Sequence, residues 1–237
     1  MGLLCNFCNH QYSQFVPHYP SYENKEALIR HQVIAGYGEN IFCPYCLSSA
    51  RERLVRCMLV QEDIKNKQIL HFSPERSIFN YIAQFADVTI ADLNPELYLN
   101  ISRKVKRENL LALSFSTSSF DFVIANHVLE HIFDDLSAMY EIFRVLKPGG
   151  VAILQVPFSN SLINSLETEK IINEKQASAL FGQKDHVRIY TLNDYMKKLQ
   201  SVGFICTLIS YEVIKRNFFN LALQPNEHFI KIKRPIV

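Results

Sequence analysis

A G-x-G-x-x-G turn is missing from this chain, and so is any apolar run long enough to cross a bilayer. Only seven glycines occur in 237 residues, and none opens the phosphate-cradling turn of a nicotinamide-dependent oxidoreductase, so that class is set aside. The most apolar stretches, such as Phe120–Ala125 and Val151–Val156, fall far short of the about 20 residues a membrane helix needs, and no membrane contact is expected. The start, Met1–Gly2–Leu3–Leu4–Cys5, has neither the basic segment nor the apolar core of a signal peptide. Asn6 stands where a myristoylation signal wants Ser or Thr. Strong charge of either sign is absent too: 25 Lys and Arg against 23 Asp and Glu leave a formal +2. That balance offers no electrostatic footprint for nucleic acid, which is not expected as a partner. There is no internal repeat and no low-complexity tract. The composition is otherwise ordinary for a globular protein, and the length suits one α/β domain with a small appendage. The expected setting is cytoplasmic, where thiols stay reduced.

Of the six cysteines, four fall in two pairs, Cys5-x-x-Cys8 and Cys43-Pro-Tyr-Cys46. Two residues between thiolates let both sulfurs turn into one tetrahedral site, and Pro44 pre-sets the second turn. Cys5, Cys8, Cys43 and Cys46 are therefore read as ligands of a structural zinc in a knuckle module over 1–47. Four thiolates leave no open coordination position, which argues against a catalytic metal there. Disulfides would need an oxidising compartment, and a thioredoxin-like site would need one CxxC, not two. Cys57 and Cys206 stand alone and read as small core or helix residues.

Residues 48–66 read as a linking helix, with Leu54, Val55, Met58 and Leu59 at helical spacing behind a serine cap. Strands and helices then alternate. Strands are expected at Gln68–Phe72, Asp87–Ala91, Phe120–Asn126, Val151–Val156, Phe204–Ser210 and His228–Lys233. Helices are expected at Ser77–Phe85, Asp134–Lys147 and Thr191–Val202, with another between Ser161 and Phe181. That last helix lies in an insertion, 158–190, read as a lid. Lys147-Pro148-Gly149-Gly150 is the expected stop of the Asp134 helix. Repeated β-α units imply a mostly parallel sheet. The final two strands follow each other with no helix expected between them, as antiparallel neighbours.

Two blocks in this pattern, Ser119–Ile132 (SFDFVIANHVLEHI) and Arg144–Gly150 (RVLKPGG), resemble the most recognisable run of the class I S-adenosylmethionine (SAM)-dependent methyltransferases of the small-molecule type. The resemblance covers roughly Lys67 to Lys233. It implies an α/β fold: a Rossmann-like, mostly parallel seven-stranded sheet with helices on both faces and an antiparallel last strand, the methyltransferase domain being 67–237. A narrower resemblance is to a subgroup that joins a CxxC…CPxC module to a Pro-Glu first loop and a Phe-Gly-Gln-x-Asp-His-Val-Arg block. Here these are Ser73-Pro74-Glu75 and Phe181–Arg188. One departure stands out. The family's first loop is usually glycine-rich so that backbone can approach the methionine part of SAM, whereas residues 71–77 contain no glycine.

The resemblance assigns cofactor contacts to Phe72, Ser73, Glu75, Asp92, Leu93, Asn109, Leu110 and Asn126. Asp92 ends the second strand, where an acid can accept both ribose hydroxyls. Asn109 and Leu110 fall beside the adenine, and Asn126 and Glu75 at the amino-acid end. Methyl transfer is an in-line displacement, so the protein aligns donor and acceptor and removes a proton if the acceptor is a hydroxyl. Histidine titrates near neutrality, which makes His186 and His127 the candidate bases. Arg188, His131 and Asp185 are the candidate substrate contacts; the alternative for the Asp185–Arg188 block is that it only fixes the lid through charge pairs. No Asn/Asp-Pro-Pro-aromatic run follows the fourth strand, which lowers the case for N-methylation of bases or amides. The leading expectation is a SAM-dependent enzyme methylating a small polar molecule, such as a hydroxyl of a sugar, nucleotide-sugar or phosphorylated metabolite. An RNA methyltransferase gripping RNA through the knuckle and a non-catalytic binding module are the alternatives. Self-association into a homodimer is left open.

Overall fold

The structure, a computed structural model, describes residues 2–170 and 173–236. Seven strands build the central sheet: β1 (Gln68–Phe72), β2 (Asp87–Asp92), β3 (Lys106–Arg107), β4 (Phe120–Ile124), β5 (Leu146–Ile153), β6 (Ile205–Ile209) and β7 (Phe229–Lys233). Their order is β3-β2-β1-β4-β5-β7-β6. Only β7 runs against its neighbours, antiparallel to β5 and β6, and the other pairs are parallel. The strand order reverses direction between β1 and β4, the place where open α/β sheets leave a crevice at their C-terminal edge.

Among the described residues seven α-helices accompany the sheet: α1 (Tyr22–Arg30), α2 (Ala50–Leu59), α3 (Arg76–Ile82), α4 (Asp135–Val145), α5 (Glu174–Phe181), α6 (Leu192–Val202) and α7 (Tyr211–Asn217). Alternation along the strands sorts two cores. Ile69, Phe122, Ile124, Val151, Ile153 and Phe229 face α2, α3 and α7. Leu70, Phe72, Val123, Ala152, Ile230 and Ile232 face α4 and α6 on the opposite side. Helix starts are fixed by local chemistry. Ser49 and Glu52 form a reciprocal capping box at α2, Asp134 caps α4 through Ser137 N, and Thr191 caps α6 through Asp194 N. Among the described residues no helix is long and apolar enough to cross a membrane.

Three expectations are corrected. A helix does separate the last two strands: α7, capped by Ser210, buries only Ile214, too small an apolar stripe to register as a period. Between Ser161 and Phe181 the described residues are helical only in α5, which starts behind an Asn173–Gln176 capping box. Leu166–Glu167 instead pairs antiparallel with Arg188–Ile189, a long-range contact invisible to local periodicity. Lys147–Gly150 does not simply stop α4; it belongs to β5, which starts at Leu146 opposite Phe120 and shifts register before Val151. A Cβ on Gly150 would lie 2.8 Å from Lys147 O and 3.0 Å from Asp121 O, so the strand can come this close only with glycine there.

The N-terminal part is built from two small antiparallel pairs, Leu3–Leu4 with Gln11–Tyr12 and Val16–His18 with Gly38–Phe42, plus α1. It is tied to the sheet domain by Arg53 of α2, which is fully buried. The Arg53 guanidinium donates to the carbonyls of Ser48, Asn40, Ile41 and Ala222. A second tie reaches the 158–190 insertion, where Val33–Ile34 pairs with Phe158–Ser159 and α1 packs on α5.

Candidate active site

A cavity of about 800 Å³ opens at the C-terminal ends of β1, β2 and β4. Phe72, Ser73, Glu75, Asp92, Leu93, Asn109, Leu110 and Asn126 all line it. Its size lies toward the upper end of the about 300–1,000 Å³ usual for small-molecule sites.

The loop after β1 reaches the cavity without glycine because Ser73 itself adopts a left-handed backbone, φ 50°. Ser73 Oγ donates to Asp92 Oδ2 at 2.6 Å, and Asn94 N donates to Oδ1 at 2.7 Å. Each oxygen of Asp92 thus accepts one hydrogen bond and has acceptor capacity beyond it, which a diol-binding carboxylate requires. Glu75 accepts from Asn126 Nδ2 at 3.3 Å and lies 2.9 Å from His71 Nε2. Burial works to raise the Glu75 pKa, but the His71 hydrogen bond, the charges of His71 and Arg51, and Asn126 outweigh it and hold the carboxyl below its ordinary value. Asn109 Oδ1 is already engaged by Leu111 N at 3.0 Å, which fixes the side chain in a tight turn.

The other end of the cavity is made by the turn after β4 and by Asp185. His127, also left-handed at φ 52°, and His131 line the cavity together with Asp185. Glu130, fully buried behind them, accepts no hydrogen bond at either carboxylate oxygen. His127 Nδ1 is 3.2 Å from Glu130 Oε1 without hydrogen-bond alignment, and His186 Nε2 is 4.0 Å away. Burial opposes ionisation of Glu130, yet His127 and the charges of His186 and His131 bring its pKa down to about 2. Burial, with the Arg51 charge, lowers His127. Burial also depresses His131, but the hydrogen bond it donates to Asp185 and the nearby carboxylates raise it overall.

Two of the remaining candidates, His186 and Arg188, sit differently from expectation. His186 is buried, is not part of the cavity wall, and is pushed down to about 4 by burial. Asp185 lines the cavity and pairs with His131, 3.4 Å from Nδ1. Arg188 does not face the cavity. Its guanidinium donates to the carbonyls of Leu129, Ile132 and Phe133 and pairs with Asp135 and Glu167. Val187 N adds a bond to Glu130 O at 3.0 Å. The Asp-His-Val-Arg block thus staples the insertion onto the Leu129–Ile132 turn.

Arg51, Tyr98 and Glu130 were not singled out by sequence reasoning. Arg51 projects into the cavity from the linking helix, where nothing local marks it. Glu130 stood in plain view between two candidate histidines, and an acid directly between Leu129 and His131 was the available signal.

The four paired cysteines converge. Their sulfurs lie within 4.8 Å of one another, with Cys5–Cys46 and Cys8–Cys43 each at 3.6 Å. A tetrahedron of about 2.3 Å metal–sulfur bonds spaces its sulfurs about 3.8 Å apart, so the cluster fits such an ion closely. The two knuckles are the same turn. Cys5 N bonds His10 O and Asn9 N bonds Cys5 O, just as Cys43 N bonds Ser48 O and Leu47 N bonds Cys43 O. The fifth residue of each, Asn9 and Leu47, is left-handed.

Comparison with known proteins points to the same region. Residues 75–154 match the family model described as a methyltransferase domain, a span holding both diagnostic blocks. A probable S-adenosylmethionine-dependent methyltransferase of Mycolicibacterium smegmatis is 38% identical over 53 residues, covering 22% of this chain and 21% of that protein. The ubiquinone/menaquinone biosynthesis C-methyltransferase UbiE of Pasteurella multocida is 26% identical over 145 residues, covering 50% of this chain and 53% of that protein. The chain therefore spans about a fifth to about half the length of these curated relatives. Among solved structures, an S-adenosylmethionine-dependent methyltransferase from Mesorhizobium loti superposes with a TM-score of 0.54 at 14% identity, covering 78% of this chain and 98% of that one. The [4+2]-cyclase SpnF superposes at 0.52 and 13% identity, covering 94% and 100%. The architecture is the Rossmann-like methyltransferase fold.

Proposed function

We propose that this chain is a SAM-dependent methyltransferase whose acceptor is a small polar molecule bearing a hydroxyl, such as a sugar, nucleotide-sugar or phosphorylated metabolite. The observation that carries the reading is the cavity at the switch point of the sheet, where Ser73 and Asn94 each donate to one oxygen of Asp92 in the wall. Asp92 would take the ribose hydroxyls, Leu93, Asn109 and Leu110 the adenine side, and Phe72, Ser73, Glu75 and Asn126 the amino-acid end. SAM, when bound, supplies an activated methyl on a sulfonium. The chain's part is alignment, exclusion of water and handling of the acceptor proton. His127 and His131 stand at the acceptor end for that last task, with Glu130 buried behind them, and Arg51 is a cation of the wall that can face an anionic acceptor group. In the same reading Cys5, Cys8, Cys43 and Cys46 hold a structural zinc that fixes the N-terminal module. The two ends of the cavity suit a nucleoside and a second small molecule, which is the arrangement a transferase needs.

Because the fold also serves a cyclase, the test has two stages. Calorimetry with SAM and S-adenosylhomocysteine should show binding of both. A transfer assay with methyl-labelled SAM over hydroxylated sugars, nucleotide-sugars and phosphorylated metabolites should then label a soluble small product. Absence of binding by either nucleoside would remove the reading altogether; transfer confined to RNA would replace its substrate class.

A further inference from the structure

We infer that Glu130, His131 and His186 form a divalent-metal site at the acceptor end of the cavity, one whose open positions take an oxygen of the acceptor. The ligand atoms of these three residues lie within 4.8 Å of one another. Two imidazoles and a carboxylate on one face make a ligand set that suits first-row divalent ions such as iron, cobalt or zinc, and leaves coordination positions free.

Four features of the geometry point to an ion rather than to a plain hydrogen-bond cluster. Glu130 is fully buried, and neither of its oxygens accepts a hydrogen bond: His127 Nδ1, 3.2 Å from Oε1, is out of alignment, and Oε2 has no partner, a state that a charged group tolerates poorly. His131 turns Nδ1 to the Asp185 carbonyl at 3.1 Å and to the Asp185 carboxylate at 3.4 Å, which leaves Nε2 for a metal, the usual second-shell arrangement of a ligating histidine. The His131 and His186 rings meet edge to face with centroids 4.7 Å apart, so both nitrogens serve one small volume. The main chain is also clamped, since Val187 N bonds Glu130 O and ties the lid histidine to the turn that carries the other two ligands. Metal bonds of about 2.1 Å set neighbouring ligands about 3 Å apart, so side-chain rotation draws the three together on binding.

This deepens the reading of the cavity and, for the transfer step, rests on it. A hydroxyl bound to the ion loses its proton to solvent more readily than a free one. Its oxygen then attacks the methyl carbon: the carbon–oxygen bond forms, the carbon–sulfur bond breaks, and the electron pair stays on sulfur. The preferred acceptors are therefore those that can chelate, with two neighbouring oxygens.

The test uses the full chain as purified, its cysteine site loaded, with cobalt(II) as probe. Equilibrium dialysis with absorption spectroscopy should show added cobalt giving ligand-field bands without thiolate-to-cobalt charge transfer. Glu130→Gln and His131→Gln should each weaken that binding by about 100-fold or more while the zinc content of the cysteine site is unchanged. His131 is partly exposed, so its variant carries the test if Glu130→Gln fails to fold. Cobalt bound only with thiolate absorbance, or bound by both variants as by the parent, overturns the inference. Calorimetry with S-adenosylhomocysteine on the same samples separates the two readings: nucleoside binding without cobalt binding sinks the metal site alone, and cobalt binding without nucleoside binding sinks the methyltransferase reading alone.

Discussion

Ser73 Oγ donates to Asp92 Oδ2 at 2.6 Å, joining the ends of two adjacent parallel strands across the mouth of the cavity. Hydrogen bonds to a charged group are worth about 1.5–3 kcal/mol. Asp92→Asn keeps the shape but halves the acceptor capacity, so affinity for S-adenosylhomocysteine should fall about 10- to 150-fold by calorimetry. A variant that binds as tightly as the parent would remove Asp92 from the ribose role.

The backbone of Ser73 makes the opposite prediction for size. At φ 50° a β-branched side chain is strained, whereas glycine is not. Ser73→Val should lose about 1–3 kcal/mol of stability. Ser73→Gly should stay near the parent, strain relief offsetting the lost hydrogen bond. Thermal midpoints report both, at about 2–4 °C per kcal/mol for a chain of this size. Equal midpoints for the two variants would show that the left-handed turn is not a constraint.

Arg188 should behave as a strut. It is buried against Asp135, with Lys198 3.0 Å from the same carboxylate. Removing one partner of a buried ion pair typically costs about 3–5 kcal/mol. Arg188→Met should therefore lower the melting temperature sharply in the absence of any ligand. An unchanged melting temperature with a raised KM for an anionic acceptor would restore the substrate role expected of it.

Glu227 provides the pH dependence. Burial pushes its carboxyl up to about 7, only partly offset by Arg51 and Arg53, and Oε2 has no hydrogen-bond partner. In the unfolded chain a glutamate titrates near 4.3. Below that value both states are protonated and nothing is lost. Between there and about 7 the unfolded state ionises while the folded state resists, so stability falls as pH rises. Glu227→Gln should match the parent near pH 4 and exceed it at pH 8, and a thermal melt series over that range checks the sign.

The cysteine cluster should protect its thiols. With metal bound, Cys5, Cys8, Cys43 and Cys46 should resist alkylation in the folded chain, and a strong chelator should expose them while lowering the melting temperature. Mass spectrometry of the alkylated protein resolves the four from Cys57 and Cys206. Thiols that react equally with and without chelator would argue against a bound ion.

Much of this arrangement was legible in the sequence because its signals are local. The Phe120–Ile124 strand leads directly into the turn that follows, and residues of that turn build one wall of the cavity. The cysteine spacing encodes its own turn, repeated twice. What escaped depends on distant partners. The Leu166–Glu167 strand exists only because Arg188–Ile189 lies beside it, and β5 begins at Leu146 because Phe120 does. Arg188 looked like a ligand for an anion because Asp135, Glu167 and three carbonyls come to it from segments 21 to 59 residues away. Arg51 and Glu130 were missed for the mirror reason: each matters through the cavity it faces or backs, not through its neighbours in the chain.

The docking of α1 on α5 is close: a Cβ added at Gly182, just past α5, would lie 2.6 Å from Leu28 Cδ2. Together with the Val33–Ile34 to Phe158–Ser159 pairing, it makes two stretches far apart in the chain one mechanical piece. Exchanging 158–190 alone for the matching segment of a relative would therefore fail. The transplantable unit is discontinuous, and a working chimera must carry residues 20–42 along with it.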